Sequence, residues 1–288
     1  MAATVNVNGR ISDEQEAVIS VFDHGFLYGE GIYETLRTYN GRLFLFDRHM
    51  RRLRNSARLI GLAIPFTDNE LARQISETIA ATKLDEKEAY VRVLVTRGVG
   101  ELTYELKATP KASWVIIVKP LVEPAAEVYK RGCNIVLVDV VRNHPGSVNP
   151  MIKCNNLMNQ ALAAQQAFKR GAFDGVMRNY RGELTECATS NLFIVKNGIV
   201  LTPPVECGLL PGITREFIFE TGRDVGIEVG EQVLRDDDLL NADEAFLTST
   251  TREVVPIVAV DERAIGGGKP GPVTVKLLKT FRDLARAG

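Results

Sequence analysis

Short apolar runs recur along this chain, and Asn-Gly pairs separate three sets of neighbouring runs. The pairs are Asn8-Gly9, Asn40-Gly41 and Asn197-Gly198. Both central residues of a type I′ turn need positive φ, which asparagine and glycine tolerate better than other residues, so each pair predicts a β-hairpin. Because two pairs lie in the first half of the chain and one lies in the second, antiparallel sheet is predicted in both halves.

Helices are predicted where apolar residues recur at helical spacing. Asp47 is the expected N-cap of a helix that ends before Gly61, and further helices are predicted over residues 68–82, 213–226 and 273–285. Another helix is expected to bury a stripe of four residues: Leu157, Ala161, Ala164 and Phe168. Runs rich in β-branched and aromatic residues predict strands at residues 90–96, 114–118, 135–141, 245–248 and 254–260.

The pattern changes at Pro120 and Pro124, whose rings restrict φ and oppose continuation of a helix or strand. An interdomain linker is therefore predicted over residues 120–127. It separates a small N-terminal domain, residues 1–119, from a larger C-terminal domain, residues 128–288. Mixed helices and strands in both parts predict an α+β protein with two domains.

The composition is that of a globular chain, with 45% hydrophobic and 25% charged residues. Thirty-five Lys and Arg balance 36 Asp and Glu, for a formal net charge of −1, so no overall charge draws the chain to nucleic acid or to an anionic membrane. The apolar runs are far shorter than the roughly 20 residues of a transmembrane helix, and the N-terminus lacks a signal-peptide pattern. A cytoplasmic protein without a membrane partner is expected.

Cysteine and histidine usage gives no sign of a disulfide framework or a metal centre. Four scattered cysteines are expected to be reduced thiols, and three histidines lack the spacing of metal ligands. No metal is therefore predicted.

Two residues could carry chemistry. Lys153 stands among apolar and uncharged neighbours where a turn-rich loop leads into a helix, and a partly buried amine there suits imine formation. The alternative is a surface lysine at a helix start. Glu186 ends a hairpin strand and precedes small residues that let a ring approach the backbone; the alternative is a solvated carboxylate.

Two further segments suit a phosphate group. Residues 210–215, Leu-Pro-Gly-Ile-Thr-Arg, place a glycine and a hydroxyl at a helix start, where free N–H groups bind anions. Residues 248–251, Thr-Ser-Thr-Thr, add hydroxyl and N–H groups at a strand end. The alternatives are an ordinary helix N-terminus capped by Thr214 and a polar turn.

The arginine-rich segment 48–58 is typical of a solvated helix face, because neither net charge nor motif favours nucleic acid.

Taken in order, these segments resemble the class IV aminotransferases, a family of pyridoxal-phosphate enzymes that includes branched-chain and D-amino acid aminotransferases and aminodeoxychorismate lyase. The resemblance runs from residue 23 to residue 274, and its most specific parts are residues 186–193, 210–215 and 248–251. It implies an α+β, two-domain fold of type IV, with a small α/β sandwich domain and a larger pseudo-barrel domain. It also implies a pyridoxal 5′-phosphate cofactor, small-molecule amino acid and 2-oxo acid partners, and a homodimer or higher homo-oligomer.

The resemblance also assigns roles to residues. Lys153, in the C-terminal domain, is assigned to the Schiff base with the cofactor, and Glu186 to the pyridine nitrogen, which an adjacent carboxylate keeps protonated. Arg52 is assigned to the cofactor phosphate. The remaining cofactor residues are expected to be Leu210, Gly212, Ile213, Thr214 and Thr250. The substrate residues are expected to be Tyr28, Tyr33, Tyr90, Arg92 and Thr251.

Substrate class is predicted from one strand and the loop after it. Tyr90 and Arg92 share a strand face, and this pair resembles the one that helps to hold the substrate carboxylate in branched-chain aminotransferases. Leu102 and Tyr104 stand where D-amino acid aminotransferases carry Arg-x-His. The expected function is amino transfer between branched-chain or other apolar L-amino acids and 2-oxoglutarate, in amino-acid biosynthesis.

Alternatives remain open at this point. A D-amino acid aminotransferase belongs to the same family, and so does an aminodeoxychorismate lyase, which Thr35 favours because branched-chain enzymes usually have glycine there. A catalytically silent cofactor-binding or nucleic-acid-binding protein is the alternative outside the family.

Overall fold

A computed structural model describes residues 3–287, which divide into two compact units. The N-terminal unit contains the described residues through Val122 together with Ile152–Asn156. The C-terminal unit contains Glu123–Met151 and the described residues from Leu157 onward. The first division, after Val122, falls inside the predicted linker.

Lys153 lies in the N-terminal unit, although the sequence analysis places it in the C-terminal domain. The backbone explains this correction, because the N–H of Tyr33 donates to the carbonyl of Lys153 at 2.9 Å and the N–H of Asn155 donates to the carbonyl of Gly31 at 2.8 Å. These bonds join residues more than a hundred positions apart, and no local pattern of apolar residues indicates them.

A six-stranded antiparallel sheet, in the order β2-β1-β6-β5-β3-β4, forms the centre of the N-terminal unit. Its strands are β1 (Thr4–Val7), β2 (Arg10–Asp13), β3 (Gly31–Tyr39), β4 (Arg42–Leu43), β5 (Ala89–Thr96) and β6 (Ser113–Pro120). Its helices are α1 (His24–Leu27), α2 (Phe46–Leu59) and α3 (Asp68–Ala80). Helix α2 packs on β3, and α3 packs on β1 and β6, so that apolar side chains of both helices cover one core.

The predicted strands of this unit are confirmed, but β6 continues through Pro120. The N–H of Leu121 donates to the carbonyl of Glu88, which places the nitrogen of Pro120 on the opposite edge of β6. Strand β1, which pairs with that edge, reaches only to a position opposite Val118. Among residues 3–287, proline therefore removes no ladder hydrogen bond there, and the strand tolerates it.

The start of α2 differs from its prediction. Leu45, in the left-handed region at φ 51°, is the N-cap, and Asp47 lies within the first turn. The N–H groups of Arg48 and His49 donate to the carbonyl of Leu45, so the helix begins before the aspartate. Asp47 still places negative charge near the positive end of the helix dipole.

The C-terminal unit contains a sheet that closes on itself. Strands β10-β13-β14-β7-β8-β9 follow one another, and β9 pairs again with β10; β11 and β12 extend the sheet, and β15 pairs with β14. The strands are β7 (Cys133–Leu137), β8 (Asp174–Arg178), β9 (Leu184–Cys187), β10 (Asn191–Lys196), β11 (Ile199–Thr202), β12 (Val229–Glu231), β13 (Glu244–Ser249), β14 (Glu253–Val260) and β15 (Arg263–Ala264). The helices are α4 (Ala126–Arg131), α5 (Met158–Lys169), α6 (Ile213–Asp224), α7 (Asp236–Leu240) and α8 (Pro272–Ala287). This ring is the barrel-like sheet expected of the larger domain.

All three Asn-Gly hairpins are confirmed, because each asparagine and glycine has positive φ at a turn between paired strands. The strand predicted at residues 135–141 is wrong at its end, since β7 stops at Leu137. The four cysteines are free, as expected.

The predicted stripe of α5 is wrong. The helix buries Ala163 and Ala167, whereas Phe168 is 62% exposed. Gly175 in β8 explains the choice, because a Cβ there would stand 3.2 Å from Ala167 Cβ and 2.7 Å from Val138. Small residues on both sides let the helix approach the strand closely, and larger apolar side chains are left on the outer face.

Across residues 3–287, the helices are too short or too polar for any of them to be a candidate membrane span.

Candidate active site

One face of α2 carries polar side chains that meet Lys153. His49, Arg52 and Ser56 are spaced by three and four residues, which places them on one side of the helix, and all three are buried. The Oγ of Ser56 accepts a hydrogen bond of 3.2 Å from the N–H of Lys153. The Nζ of Lys153 lies 4.3 Å from the centre of the Tyr33 ring. The lysine, the tyrosine and the arginine-bearing helix are therefore brought together within the N-terminal unit.

Glu34, in β3, is hydrogen-bonded by two side chains of α2, Arg52 and His49. Arg52 donates from Nε to Oε1 at 2.7 Å and from Nη2 to Oε2 at 2.8 Å, while His49 Nδ1 lies 2.7 Å from Oε2. Glu34 is fully buried. Burial alone would raise the pKa of this carboxyl, but the charge and hydrogen bonds of Arg52, with the hydrogen bond of His49, hold its pKa well below the ordinary range.

His49 is held in its neutral form. Burial is the largest cause that lowers the pKa of its ring, and the charges of Arg52 and Lys153 lower it further, whereas Glu34 raises it. Because burial dominates, the pKa of His49 lies below its usual value.

Arg92 reaches the same tyrosine as Lys153. Strands β3 and β5 pair with Thr35 opposite Arg92, and the Cζ of Arg92 lies 4.2 Å from the centre of the Tyr33 ring. The Nε of Arg92 is buried without a hydrogen-bond partner among residues 3–287. A guanidinium with an unsatisfied N–H can accept an anionic ligand.

The other two predicted tyrosines make different contacts. The ring of Tyr28 packs against His24 at 4.9 Å and against Tyr104 at 5.0 Å. Tyr90 contacts the amine of Lys119 at 5.0 Å. These contacts involve neither Tyr33 nor Lys153.

Glu186 is the buried carboxylate of the C-terminal unit. Its Oε1 accepts a hydrogen bond from Arg142 Nε at 2.8 Å. Its Oε2 accepts from Asn191 Nδ2 at 3.2 Å and from the backbone N–H of Leu210 at 3.2 Å. Arg142 is in turn oriented by Asn159, whose Oδ1 lies 3.2 Å from Nη1. Glu186 is therefore not the solvated carboxylate of the alternative interpretation.

Helix α6 begins beside this carboxylate. Gly212 is its N-cap and offers no side chain, so the first N–H groups of the helix, at Ile213 and Thr214, receive no side-chain cap. A Cβ at Gly212 would collide with Asn191 Oδ1, so only glycine fits. The alternative interpretation, in which Thr214 caps the helix, is not observed.

The end of β13 adds hydroxyl groups without partners. Thr248 pairs with Asn191 across the sheet, and its Oγ1 is buried without a hydrogen-bond partner, as is Oγ of Ser249, among the residues described. Thr250 and Thr251 follow in the turn to β14. Such buried, unsatisfied donors are uncommon in folded proteins and suit an anionic ligand.

Residues 31–260, more than half of the chain, match the family model for class IV amino-transferases. The chain belongs to the class IV aminotransferases. It is 37% identical to a putative branched-chain-amino-acid aminotransferase of Methanocaldococcus jannaschii, over 97% of this chain and 96% of that protein. It is also 33% identical to a D-alanine aminotransferase of Bacillus licheniformis, over 93% of this chain and 92% of that protein.

A solved structure extends this likeness to the fold. The branched-chain amino acid aminotransferase of T.th., complexed with N-(5′-phosphopyridoxyl)-L-glutamate, aligns with a TM-score of 0.92 at 27% identity, covering 100% of this chain and 95% of that one. The expected type IV fold is therefore confirmed. Class IV aminotransferases use pyridoxal 5′-phosphate, so this aminotransferase is a pyridoxal-phosphate-dependent transaminase, as its sequence indicated.

The residues of this aminotransferase fit that cofactor. Uncapped N–H groups at the start of α6 and two unpartnered hydroxyls suit a phosphate dianion. A buried carboxylate, Glu186, suits a protonated ring nitrogen, and a lysine beside an aromatic ring suits imine formation.

Four of the residues described above received no role from the sequence. They are Glu34, His49, Arg142 and Asn191. A signal existed for Glu34, because it lies between the apolar residues Ile32 and Leu36 on the buried face of β3. A carboxylate at such a position requires a partner. No local signal existed for Arg142, whose partner lies 44 residues away.

Proposed function

We propose that this transaminase exchanges an amino group between branched-chain or other apolar L-amino acids and 2-oxoglutarate. Support comes mainly from Tyr33, whose ring is contacted by both the amine of Lys153 and the guanidinium of Arg92. This arrangement combines a nucleophile, an apolar surface and a cation for a carboxylate. The names of the Methanocaldococcus jannaschii relative and the T.th. structure, and the phosphopyridoxyl-glutamate in the latter, favour the same pair of substrates.

Lys153 and Glu186 would perform the central steps. Pyridoxal 5′-phosphate, when bound, supplies an electron sink that makes the substrate Cα–H bond acidic. Lys153 would hold the cofactor covalently through Nζ and then, as a free amine, would remove the proton at the substrate Cα and deliver it to the cofactor carbon. Glu186, kept close to Arg142, would hold the proton on the pyridine nitrogen.

The phosphate would be anchored by groups from several elements. We assign this role to Arg52. Leu210, in the loop that precedes α6, is assigned to the same cofactor site. The remaining anchoring residues, which contribute backbone or side-chain groups, are Gly212, Ile213, Thr214 and Thr250. Anchoring contributes no bond-making step, but it restricts the tilt of the ring relative to the Lys153 amine.

Substrate contacts are assigned to Tyr28, Tyr33, Tyr90, Arg92 and Thr251. Arg92 would bind the carboxylate, and the tyrosine rings would bind the apolar side chain. A D-amino acid aminotransferase is the second candidate, because the Bacillus licheniformis relative carries that name. The loop position of Leu102 and Tyr104 favours the L-specific function, since neither side chain can form an ion pair with a carboxylate.

The covalent role of Lys153 is tested by borohydride reduction of the purified protein followed by peptide mapping. We expect the reduced cofactor on the peptide that contains Lys153, and none after Lys153→Ala. Label on another lysine would contradict the assignment.

Substrate class is tested by half-reactions with L-leucine, D-alanine and aminodeoxychorismate, followed by loss of the visible absorbance of the bound cofactor. We expect L-leucine to react fastest. Reaction with D-alanine alone, or with aminodeoxychorismate alone, would replace the proposed function by the corresponding alternative.

A homodimer is also proposed. The N-terminal unit exposes large apolar side chains in two neighbouring segments, one at and before α1 and one in the loop after β5, among them Val18, Phe26, Leu102 and Tyr104. Such surfaces are typical of protein interfaces. Sedimentation analysis should give twice the chain mass of 31.8 kDa; a monomer at micromolar concentration would contradict it. A cytoplasmic location stays a prediction.

A further inference from the structure

Building on the phosphate role proposed for Arg52, we propose that Glu34 is a positioning residue that orients Arg52 and His49 for the phosphate of the cofactor. Glu34 would not touch the cofactor itself. It would act through the plane of the Arg52 guanidinium and through the tautomer of the His49 ring.

The geometry of the Arg52 contact supports an orienting role. Two parallel hydrogen bonds, from Nε and Nη2 to the two oxygens of one carboxylate, define the plane of the guanidinium. The direction of the third nitrogen, Nη1, is then set by the position of Glu34 in β3. A single ion pair at a surface would leave the side chain free to rotate.

The contact with His49 has a second consequence. An ionised carboxylate only accepts hydrogen bonds, so the neutral ring carries its proton on Nδ1 and its lone pair on Nε2. Glu34 therefore defines how the Arg52 guanidinium is oriented and which ring nitrogen of His49 carries the proton. The helix is tied to that segment at Ser56 by the N–H of Lys153.

A competing interpretation makes the opposite prediction. Glu34 could merely neutralise Arg52, and it would then compete with the phosphate for the guanidinium. Removing its charge would tighten phosphate binding if competition dominates, and would weaken it if orientation dominates. The sign of the change in affinity therefore separates the two roles.

The experiment compares pyridoxal 5′-phosphate with pyridoxal, which lacks the phosphate, in full-length protein reconstituted after removal of its cofactor. For Glu34→Gln, we expect the affinity for pyridoxal 5′-phosphate to fall about tenfold, since one charge-assisted hydrogen bond to the phosphate is misdirected, and the affinity for pyridoxal to change less than about threefold. Equal losses for both ligands would indicate a merely structural role. Tighter binding of pyridoxal 5′-phosphate would establish competition. Either result would overturn the proposal.

A second variant covers the case in which Glu34→Gln does not fold, because a neutral residue leaves Arg52 without its counter-charge. Glu34→Asp keeps the charge but retracts the carboxylate by one methylene, so it cannot hold the guanidinium and the imidazole together. We expect the same selective loss of phosphate-dependent affinity. Unchanged preference for pyridoxal 5′-phosphate over pyridoxal in Glu34→Asp would overturn the orienting role.

Two controls separate this role from other effects. Glu88→Gln removes another carboxylate of the same unit, which accepts the N–H of Asn40 at 2.7 Å, and we expect it to leave both affinities unchanged. Arg52→Ala tests the phosphate assignment itself. If Arg52→Ala leaves the preference for pyridoxal 5′-phosphate intact, that part of the proposed function fails; if only the Glu34 variants leave it intact, the assignment of Arg52 stands and the role of Glu34 fails.

Discussion

Each unit of this transaminase contains a buried glutamate that is paired with a buried arginine, Glu34 with Arg52 and Glu186 with Arg142, but the two pairs are built differently. Arg52 engages both oxygens of Glu34, and His49 adds a further hydrogen bond to the same carboxylate. Arg142 donates from Nε to one oxygen of Glu186, and neutral amide groups of Asn191 and the backbone satisfy the other.

The difference suggests that opposite members of the two pairs serve the cofactor. In the N-terminal unit the carboxylate is enclosed by donors, so it is suited to hold the arginine in a defined plane. In the C-terminal unit the arginine is held by Asn159, so it is suited to supply charge to the carboxylate. One pair would present a cation to a phosphate, and the other would present an anion to a protonated ring.

The largest expected effect follows removal of the cation from the first pair. Arg52→Met leaves Glu34 buried without its counter-charge, which costs about 3–5 kcal/mol of unfolding free energy. We also expect the affinity for pyridoxal 5′-phosphate to fall about a hundredfold, because charge-assisted hydrogen bonds are lost. Urea denaturation and cofactor titration measure the two effects.

Arg54→Met is the matched control for that variant. Arg54 lies on the same helix but pairs with Asp68 at the surface, where an ion pair contributes at most about 1 kcal/mol. If Arg52→Met cost no more stability than Arg54→Met, Glu34 would not depend on its buried partner.

For the second pair, the variant removes the negative charge of Glu186. Glu186→Gln preserves the shape of the side chain but removes the charge that would hold the ring proton. We expect turnover to fall about a hundredfold or more while the protein retains its cofactor, since one preorganised electrostatic contact commonly contributes this much. The ratio of kcat to bound cofactor absorbance measures it. Near-normal turnover would remove Glu186 from the mechanism.

Sequence reasoning succeeds where short-range chemistry decides the structure. Asn40 and Gly41 specify a hairpin because the turn itself demands positive φ at both residues, and φ values of 51° and 74° meet that demand. The α5 stripe shows the opposite case. Phe168 has the right spacing, but the alanines are buried, because a glycine in a strand distant in sequence allows close packing.

The candidate functional residues also fall into two groups, those that the sequence could propose and those that it could not. Lys153 and Glu186 lie in segments whose residue types and order resemble a known family, so they could be proposed from the chain alone. Glu34 and Arg142 could not be assigned, because their roles depend on contacts across 18 and 44 residues. Lys153 itself lies in the N-terminal unit and not with the C-terminal residues, since the hydrogen bonds that join its segment to β3 leave no trace in local periodicity.

Replacement of Arg52 or Arg142 by lysine tests the difference between the two pairs with a smaller chemical change. Lysine keeps the positive charge but lacks the planar fork of donors. For Arg142→Lys we expect turnover within about threefold of the original, because Glu186 needs charge nearby more than a defined plane. For Arg52→Lys we expect about a tenfold loss of affinity for pyridoxal 5′-phosphate. Similar losses in the two variants would mean that the pairs do not differ in function.

The smallest expected effect is a pH dependence that His49 gives to the first pair. Burial lowers the pKa of its ring below the ordinary 6.5, so the unfolded chain binds a proton more readily than the folded protein does. Stability contributed by neutral His49 is therefore present above about pH 6.5 and is lost as the pH falls below it. Glu34 adds a loss at lower pH, beginning below its ordinary pKa of 4.5, because its carboxylate is held ionised in the folded state.

Urea denaturation of the original protein and of His49→Phe, at about pH 7.5 and about pH 5.5, isolates the histidine contribution. The two proteins differ only at residue 49, so the contributions of all other groups cancel in the difference. We expect the original protein to lose more unfolding free energy than the variant between the two pH values. Equal losses would mean that His49 binds its proton equally well in the folded and unfolded states, and the pair of Glu34 and Arg52 would then lack this coupling to pH.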